Sequence, residues 1–268
     1  MPARVTPGSS TRRLVAPLRA MLWPQVQAEV LRLWRTPSFL VPGLLLPLVL
    51  YSLLGGLGKA NSLEGGISRH AYALASVATY SIISVMLYSF GVSIANERGQ
   101  RLNVLMRATP LPASIYLLAK VVTALLSALI ILLVLCGFAL IVGGVQLSAL
   151  SWVTLIASLL LGVLPFILLG FAIGNLVNPA GATPIINLSF FILAFASGVF
   201  VPLTQLPAAL QNIAPYSPFY LLALLAWNAV GVHIGTIGNT VWLLVLYSVI
   251  FLSLAVWAYR REERYSFG

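Results

Sequence analysis

From about Phe39 onward the chain alternates between apolar blocks roughly as long as a bilayer is thick and short polar interruptions. The block from about Phe39 to Gly58 predicts a first membrane-spanning helix and that from about Tyr72 to Ala95 a second, with Lys59, Glu64 and Arg69 in the loop between them. From residue 121 to residue 259 there is not one Asp, Glu, Lys or Arg. That stretch suffices for about four crossings at roughly 20 residues each. Its turn formers divide it. Gly143-Gly144 and Gln146 separate a third span (about Ser114 to Val142) from a fourth (about Trp152 to Leu176). Asn178-Pro179-Ala180-Gly181 separate the fourth from a fifth (about Pro184 to Val201), and a sixth runs from about Thr240 to Tyr259. The expected fold class is therefore all-α, a polytopic membrane protein with six transmembrane helices.

Two segments depart from this rhythm. Residues 202 to 239 are too apolar for an ordinary loop, yet Pro202, Pro207, Pro215 and Pro218 break them into two short helical pieces, about Leu206 to Ala214 and Pro218 to Val230. Each is about half a bilayer long. They read as re-entrant or interfacial helices on the outer side that pack on protein rather than lipid; a single kinked helix is the alternative. Before the first span, Pro24 begins a helix to about Arg35, with Val26, Val30 and Leu33 on one arc and Gln27, Arg32 and Arg35 elsewhere. That is an interfacial helix with an apolar underside. Glu29 falls on the apolar arc, where either Arg32 at i+3 or one of Arg98, Arg101 and Arg107 from the next polar segment would answer its charge. Residues 1–38 thus form an N-terminal segment and 39–268 one transmembrane domain.

Composition closes off the soluble alternatives. Sixty per cent hydrophobic residues, 7% charged residues and a mean hydropathy of +1.01 lie far from the soluble range of about 25% charged. The net charge of +10 does not point to nucleic acid, because the basic residues flank apolar spans rather than cluster on a polar domain. They act as topology signals. With the N-terminus inside, segments 1–38, 96–120 and 260–268 are cytoplasmic and hold every basic residue except Lys59 and Arg69. An N-in, C-in, multi-pass protein of the cell's inner (plasma) membrane is expected. The Arg-bearing first 20 residues carry no apolar stretch ending in a cleavage site, so no cleaved signal peptide is expected. Cys136, the single cysteine, lies in an apolar run and reads as a small hydrophobe.

The residue inventory leaves little room for autonomous chemistry. A phosphate-cradling loop needs Gly-Lys-Ser/Thr, but Lys59 precedes Ala60 and Lys120 follows Ala119. Neither lysine fits. The last four spans hold no carboxylate for proton coupling, and His233 reads as an interfacial histidine rather than a relay; sodium coupling through carbonyls and hydroxyls stays open. With two separated histidines (His70, His233), one cysteine and no Asp, a metal site or catalytic triad is not expected. Uphill movement of a solute would need a partner that supplies energy.

The sizeable polar stretch between spans is Glu97-Arg98-Gly99-Gln100-Arg101-Leu102-Asn103-Val104-Leu105-Met106-Arg107-Ala108-Thr109-Pro110. Leu102, Leu105 and Met106 share a helical face with Arg98 and Arg101 one turn earlier, and Pro110 and Pro112 end the helix. Such a piece either lies on headgroups or inserts an apolar knob into a soluble partner. With this stretch, the N-terminal interfacial helix and six spans, the layout resembles the membrane subunit of type 2 ABC exporters (the ABC-2 family). The likeness continues in Phe195-Ala196-Ser197-Gly198-Val199-Phe200-Val201-Pro202, Leu206-Pro207 and Ile213-Ala214-Pro215-Tyr216-Ser217-Pro218, and covers nearly the whole chain.

That resemblance implies a non-enzymatic permease that works as a homodimer, or with a closely related permease, in the lipid bilayer beside two copies of a separate ATP-binding subunit. ATP and Mg²⁺ would be bound there and no cofactor by this chain. It implies a cytoplasmic coupling helix over residues 97–110, with Glu97, Arg98, Arg101, Leu102, Leu105, Met106, Arg107 and Pro110 as ATPase-coupling residues and Glu29, Arg32 and Arg35 on the interfacial helix. Asn103 and Val104 stand where relatives often carry a second acidic residue. The second and fifth spans would flank the pathway, which makes Tyr80, Ser84, Tyr88, Asn187, Phe191, Phe195 and Ser197 candidates to line it; such residues also bridge helices structurally. An uncharged lining of this kind suits a small hydrophobic or amphipathic compound (a drug, antibiotic or lipid-like molecule). Export of a lipid-linked polysaccharide is a second reading, and a passive channel or assembly factor without an ATPase is a third. In the fourth span Ser158, Gly162, Gly170 and Gly174 form a shallow groove suited either to packing within the subunit or to a dimer seam.

Overall fold

The computed structural model describes residues 18–34, 37–55, 68–100, 112–200, 203–232 and 235–266, and among these the fold is entirely helical. Five helical stretches in this set are long and apolar enough to cross a membrane: Arg69–Gly99, Ser114–Ile141, Ala149–Leu176, Pro179–Ala196 and Ile237–Glu262. Gly43–Gly55 and Pro218–Ala229 are shorter apolar helices. In chain order the elements are α1 (Leu18–Trp34), α2 (Pro37–Gly55), α3 (Arg69–Met86), a wider π-helical turn (Leu87–Val92), α4 (Ser93–Gly99), α5 (Ala113–Ile141), α6 (Ala149–Leu161), α7 (Leu164–Leu176), α8 (Pro179–Ala196), α9 (Ala208–Ile213), α10 (Pro218–Ala229) and α11 (Ile237–Ser266).

The helix starts follow local chemistry. Ser68, Ser148 and Asn178 cap α3, α6 and α8 by accepting from Ala71, Ser151 and Ala180 N–H groups, and Pro179 sits at the first position of α8. Span five accordingly begins and ends five residues earlier than its apolar run suggested, because Asn178-Pro179 opens the helix instead of looping away from it. Pro184 rides inside. The N-terminal helix also starts earlier than expected, at Leu18, with Pro24 in its interior. Pro24 is exposed, so the carbonyl one turn back that loses its donor can be met from outside the protein. Two of the spans are interrupted. The π-helical turn divides the second, and a turn at Gly162-Val163 divides the fourth into α6 and α7, with Pro165 in the first turn of α7. Both short helices predicted between spans five and six are present as α9 and α10.

The α3 helix is the centre of the body, flanked by α2, α5 and α10. Leu74, Val77, Ile83 and Met86 are fully buried along it, and Trp227 of α10 donates its indole N–H to Ser76 at 2.9 Å while stacking on Tyr72. The α10 helix packs on α3, α6 and α11, as a half-length segment must if its unpaired ends are to avoid lipid. Below this level the π-helical turn meets α7, and here the glycines decide the spacing. A Cβ on Gly174 would stand 2.5 Å from the Phe90 carbonyl oxygen and one on Gly170 3.1 Å from the Met86 oxygen. The small-residue groove of the fourth span is therefore filled within the subunit: Gly170 and Gly174 by the π-helical turn, Gly162 by Leu222 of α10. Replacing Gly174 by Ala forces backbone apart and should cost about 1–3 kcal/mol. Thermal unfolding in detergent checks this, with Gly137→Ala, where no described residue lies within 4 Å of the added Cβ, leaving the midpoint unchanged or raised.

Candidate functional site

The charged residues at the end of the second span do not project outward; they converge. Glu97, in the last turn of α4, is 1% exposed, and its carboxylate accepts from Arg32 of α1 at 2.6 Å, from Lys120 of α5 at 2.9 Å, from the Tyr116 hydroxyl of α5, and from Ser93 one turn earlier at 3.0 Å. Lys120 also donates to the Ser93 hydroxyl at 3.0 Å. A buried carboxylate is tolerated when it is paired and its lone pairs are filled, and both conditions hold here. Burial opposes the charge of the Arg32 guanidinium, but the hydrogen-bonded Glu97 carboxylate outweighs it and holds the Arg32 pKa above the ordinary arginine value. Three elements distant in sequence are fastened at one oxygen pair.

The neighbouring residue fastens two more. Arg98 makes a fork to Glu262 of α11, with Nε 2.9 Å from one carboxylate oxygen and a terminal nitrogen 2.5 Å from the other. Its remaining terminal nitrogen donates to the Gly174 and Val177 carbonyls at 2.8 and 3.3 Å, at the end of α7. Free carbonyls and the negative helix end both favour a cation at that position. Glu97 and Arg98 thus tie α4 to α1, α5, α7 and α11 immediately before residues 101–111.

Of the residues singled out from sequence, Arg101, Leu102, Leu105, Met106, Arg107, Pro110 and Arg35 lie outside the described residues. Glu29 meets Lys120 at 3.7 Å and Arg32 at 4.0 Å, while Arg98 is turned away to Glu262. Among the aromatic and hydroxyl candidates, Tyr88 and Asn187 are hydrogen-bonded across the seam between the π-helical turn and α8. Tyr80 is buried against Phe190 and Phe200, and Ser84 is half-buried. The Ser197 hydroxyl folds back to the Ala194 carbonyl. Phe191 and Phe195 are 50% and 48% exposed and stack on one another along the outer face of α8. The structure adds Lys120, Tyr116, Ser93 and Glu262 to the picture. A lysine inside an otherwise apolar span was the available signal, since such a charge needs a partner. Replacing Glu97 by Gln would leave Arg32 and Lys120 only the more distant Glu29 carboxylate as counter-charge, one anion for two cations. A loss of about 3–5 kcal/mol is expected, read from the unfolding midpoint, and adding Lys120→Met should recover part of it.

Residues 59–257 match the family described as ABC-2 family transporter protein. The chain is also 27% identical over 243 residues to the protein titled "Putative transport permease YvfS" of Bacillus subtilis (strain 168), an alignment that covers 91% of this chain and 98% of that one. Membership implies partnership with an ATP-binding subunit, the membrane subunit not being catalytic itself. With its apolar helices and a family match over most of its length, this chain belongs to the ABC-2 family of transport permeases.

Proposed function

We propose that this permease exports a small hydrophobic or amphipathic compound across the cell's inner (plasma) membrane, driven by ATP and Mg²⁺ bound to a separate subunit, with two permease chains forming the pathway. The observation that carries the proposal is the pair Glu97 and Arg98: adjacent residues that anchor four other helices at the root of residues 101–111. A push on that segment reaches α1, α5, α7 and α11 together. In this reading residues 97–110 are the coupling segment: Glu97 and Arg98, in the last turn of α4 before it ends at Gly99, are the inner root that transmits movement, and beyond it Leu102, Leu105 and Met106 would face the ATPase, with Arg101 and Arg107 on the rim and Pro110 at the end.

The α2 helix joins the five longer stretches as a sixth span, both termini are cytoplasmic by the placement of basic residues, and α9 and α10 are the outer re-entrant pieces. The helix α1, with Val26 buried and Gln27 exposed, lies at the inner interface. The pathway runs by the Tyr88–Asn187 seam and the exposed Phe191–Phe195 face of α8, where aromatic area with few polar groups and no fixed charge suits an amphipathic solute. Alternating access follows when closure of the ATPase moves the coupling helices and shifts the first and second spans against the fifth. Changing Leu105 and Met106 together to Asp should abolish stimulated ATP hydrolysis and transport in vesicles containing both subunits while the permease still folds in the membrane. Export that survives the double change would overturn the coupling contact, and solute accumulation by the permease alone would overturn the need for the ATPase.

A further inference from the structure

A cleft of about 200 Å³ opens between α1, the π-helical turn with α4, and α5, beside the Glu97 cluster. Its wall is amphipathic. Glu29, Arg32, Ser93 and Lys120 line its charged end; Thr123 and Tyr88 line the part that reaches into the apolar body, Tyr88 lying about two and a half turns, or ~13 Å, along the helix from Glu97.

The charges of the cleft are unequally satisfied. Arg32 and Lys120 are hydrogen-bonded to Glu97 at 2.6 and 2.9 Å, and Lys120 is 4% exposed. Glu29 meets the same two cations only at 4.0 and 3.7 Å, beyond hydrogen-bond distance, and its side chain is 11% exposed. A carboxylate that faces a cleft with lone pairs unfilled is an acceptor for a charged donor. One turn along α5 from Lys120, Thr123 is 4% exposed and its hydroxyl has no hydrogen-bond partner among the described residues. Thr79 and Thr240 return theirs to the carbonyl four residues back, as helical threonines commonly do. A buried hydroxyl without a bond is destabilising unless something in the cleft completes it.

We infer that this cleft binds the ammonium head of an amphiphile, with Glu29 accepting from the ammonium, the Thr123 hydroxyl completing the polar contacts, and the apolar chain running past Val92 and Ala124 toward Tyr88. An anionic head is disfavoured, because Arg32 and Lys120 are already hydrogen-bonded to the buried Glu97 carboxylate and the carboxylate that lines the cleft, Glu29, would repel it. The deep end abuts the seam to α8 through the Tyr88–Asn187 bond. This names a substrate class for the proposed export route and rests on that route only for the onward step. The ammonium can come from a soluble amine or from a phosphatidylethanolamine headgroup.

The test is equilibrium binding of radiolabelled dodecylamine at neutral pH to the full-length permease in phosphatidylcholine nanodiscs, with no ATPase present. Saturable binding is expected, weakened about tenfold or more by Glu29→Gln, several-fold by Thr123→Val, and kept by Glu29→Asp and Thr123→Ser. Excess dodecanol or dodecyl sulfate should not displace it. Equal affinity in wild type, Glu29→Gln and Thr123→Val, or displacement by dodecyl sulfate as effective as by unlabelled amine, overturns the site. If Glu29→Gln does not fold, the affinity of Thr123→Val against that of Thr123→Ser decides: equal values overturn the site, and a loss confined to the valine variant supports it. Replacing a third of the lipid by phosphatidylethanolamine separates the sources: a raised apparent Kd assigns the cleft to the lipid headgroup, an unchanged one to a soluble amine. Intact binding without transport in vesicles that hold both subunits would count against the export reading and leave the site standing.

Discussion

The structure depends on how one buried carboxylate is neutralised. Glu97 ends a helix that is apolar through most of its length, in a body where an unpaired charge would be severely destabilising. Arg32 arrives from the N-terminal helix, Lys120 and Tyr116 from the next span, and Ser93 from the preceding turn, so that one group determines how three elements sit. A hydrophobic cluster could hold these helices equally well in energy but not in register. Lipid tails compete with apolar contacts on nearly equal terms, whereas a buried ion pair has a single satisfactory arrangement. Arg98 extends the same logic to α7 and α11.

Away from the charges, close backbone approach replaces burial from water as the source of cohesion. Gly170 and Gly174 let α7 press on the π-helical turn, and Asn187 of α8 reaches Tyr88 on the same turn. The outer faces of α8 and α11, rich in exposed Phe, Ile, Leu and Val, are what a bilayer or a second permease requires of them. Polar joints inside and apolar skins outside are two sides of one solvent constraint.

Much of this was legible in the chain and some was not, for identifiable reasons. Spans and short helices follow from apolar runs between turn formers, and α9 and α10 appear close to where Pro207 and Pro218 placed them. Helix ends were less legible: Asn178-Pro179 has the residues of both a turn and a capped helix start, and only packing chooses between them. The interior break at Gly162-Val163 and the π-helical turn left no periodic trace because each lies within a long stretch free of charges. The charge cluster was half visible. Glu29, Arg32 and Glu97 stood out as charges, but Lys120, the partner that Glu29 and Glu97 share, belongs to another span, and adjacency between spans is a tertiary fact that no local pattern records.

The π-helical turn carries a consequence of its own. It lodges one more residue in the helix than regular winding would, so that everything after Val92 lies about 100° behind where uninterrupted α-helical winding would have carried it. Tyr88 can therefore address α8 while Glu97 addresses α1 and α5, directions that a uniformly wound rod would not offer to both. Losing a single amino acid there would close the wide turn into regular helix and leave the carboxylate facing its cations, whereas losing one between Val92 and Glu97 would swivel it about 100° away from them. For this chain, residue count within the span is as stringent a demand as residue type.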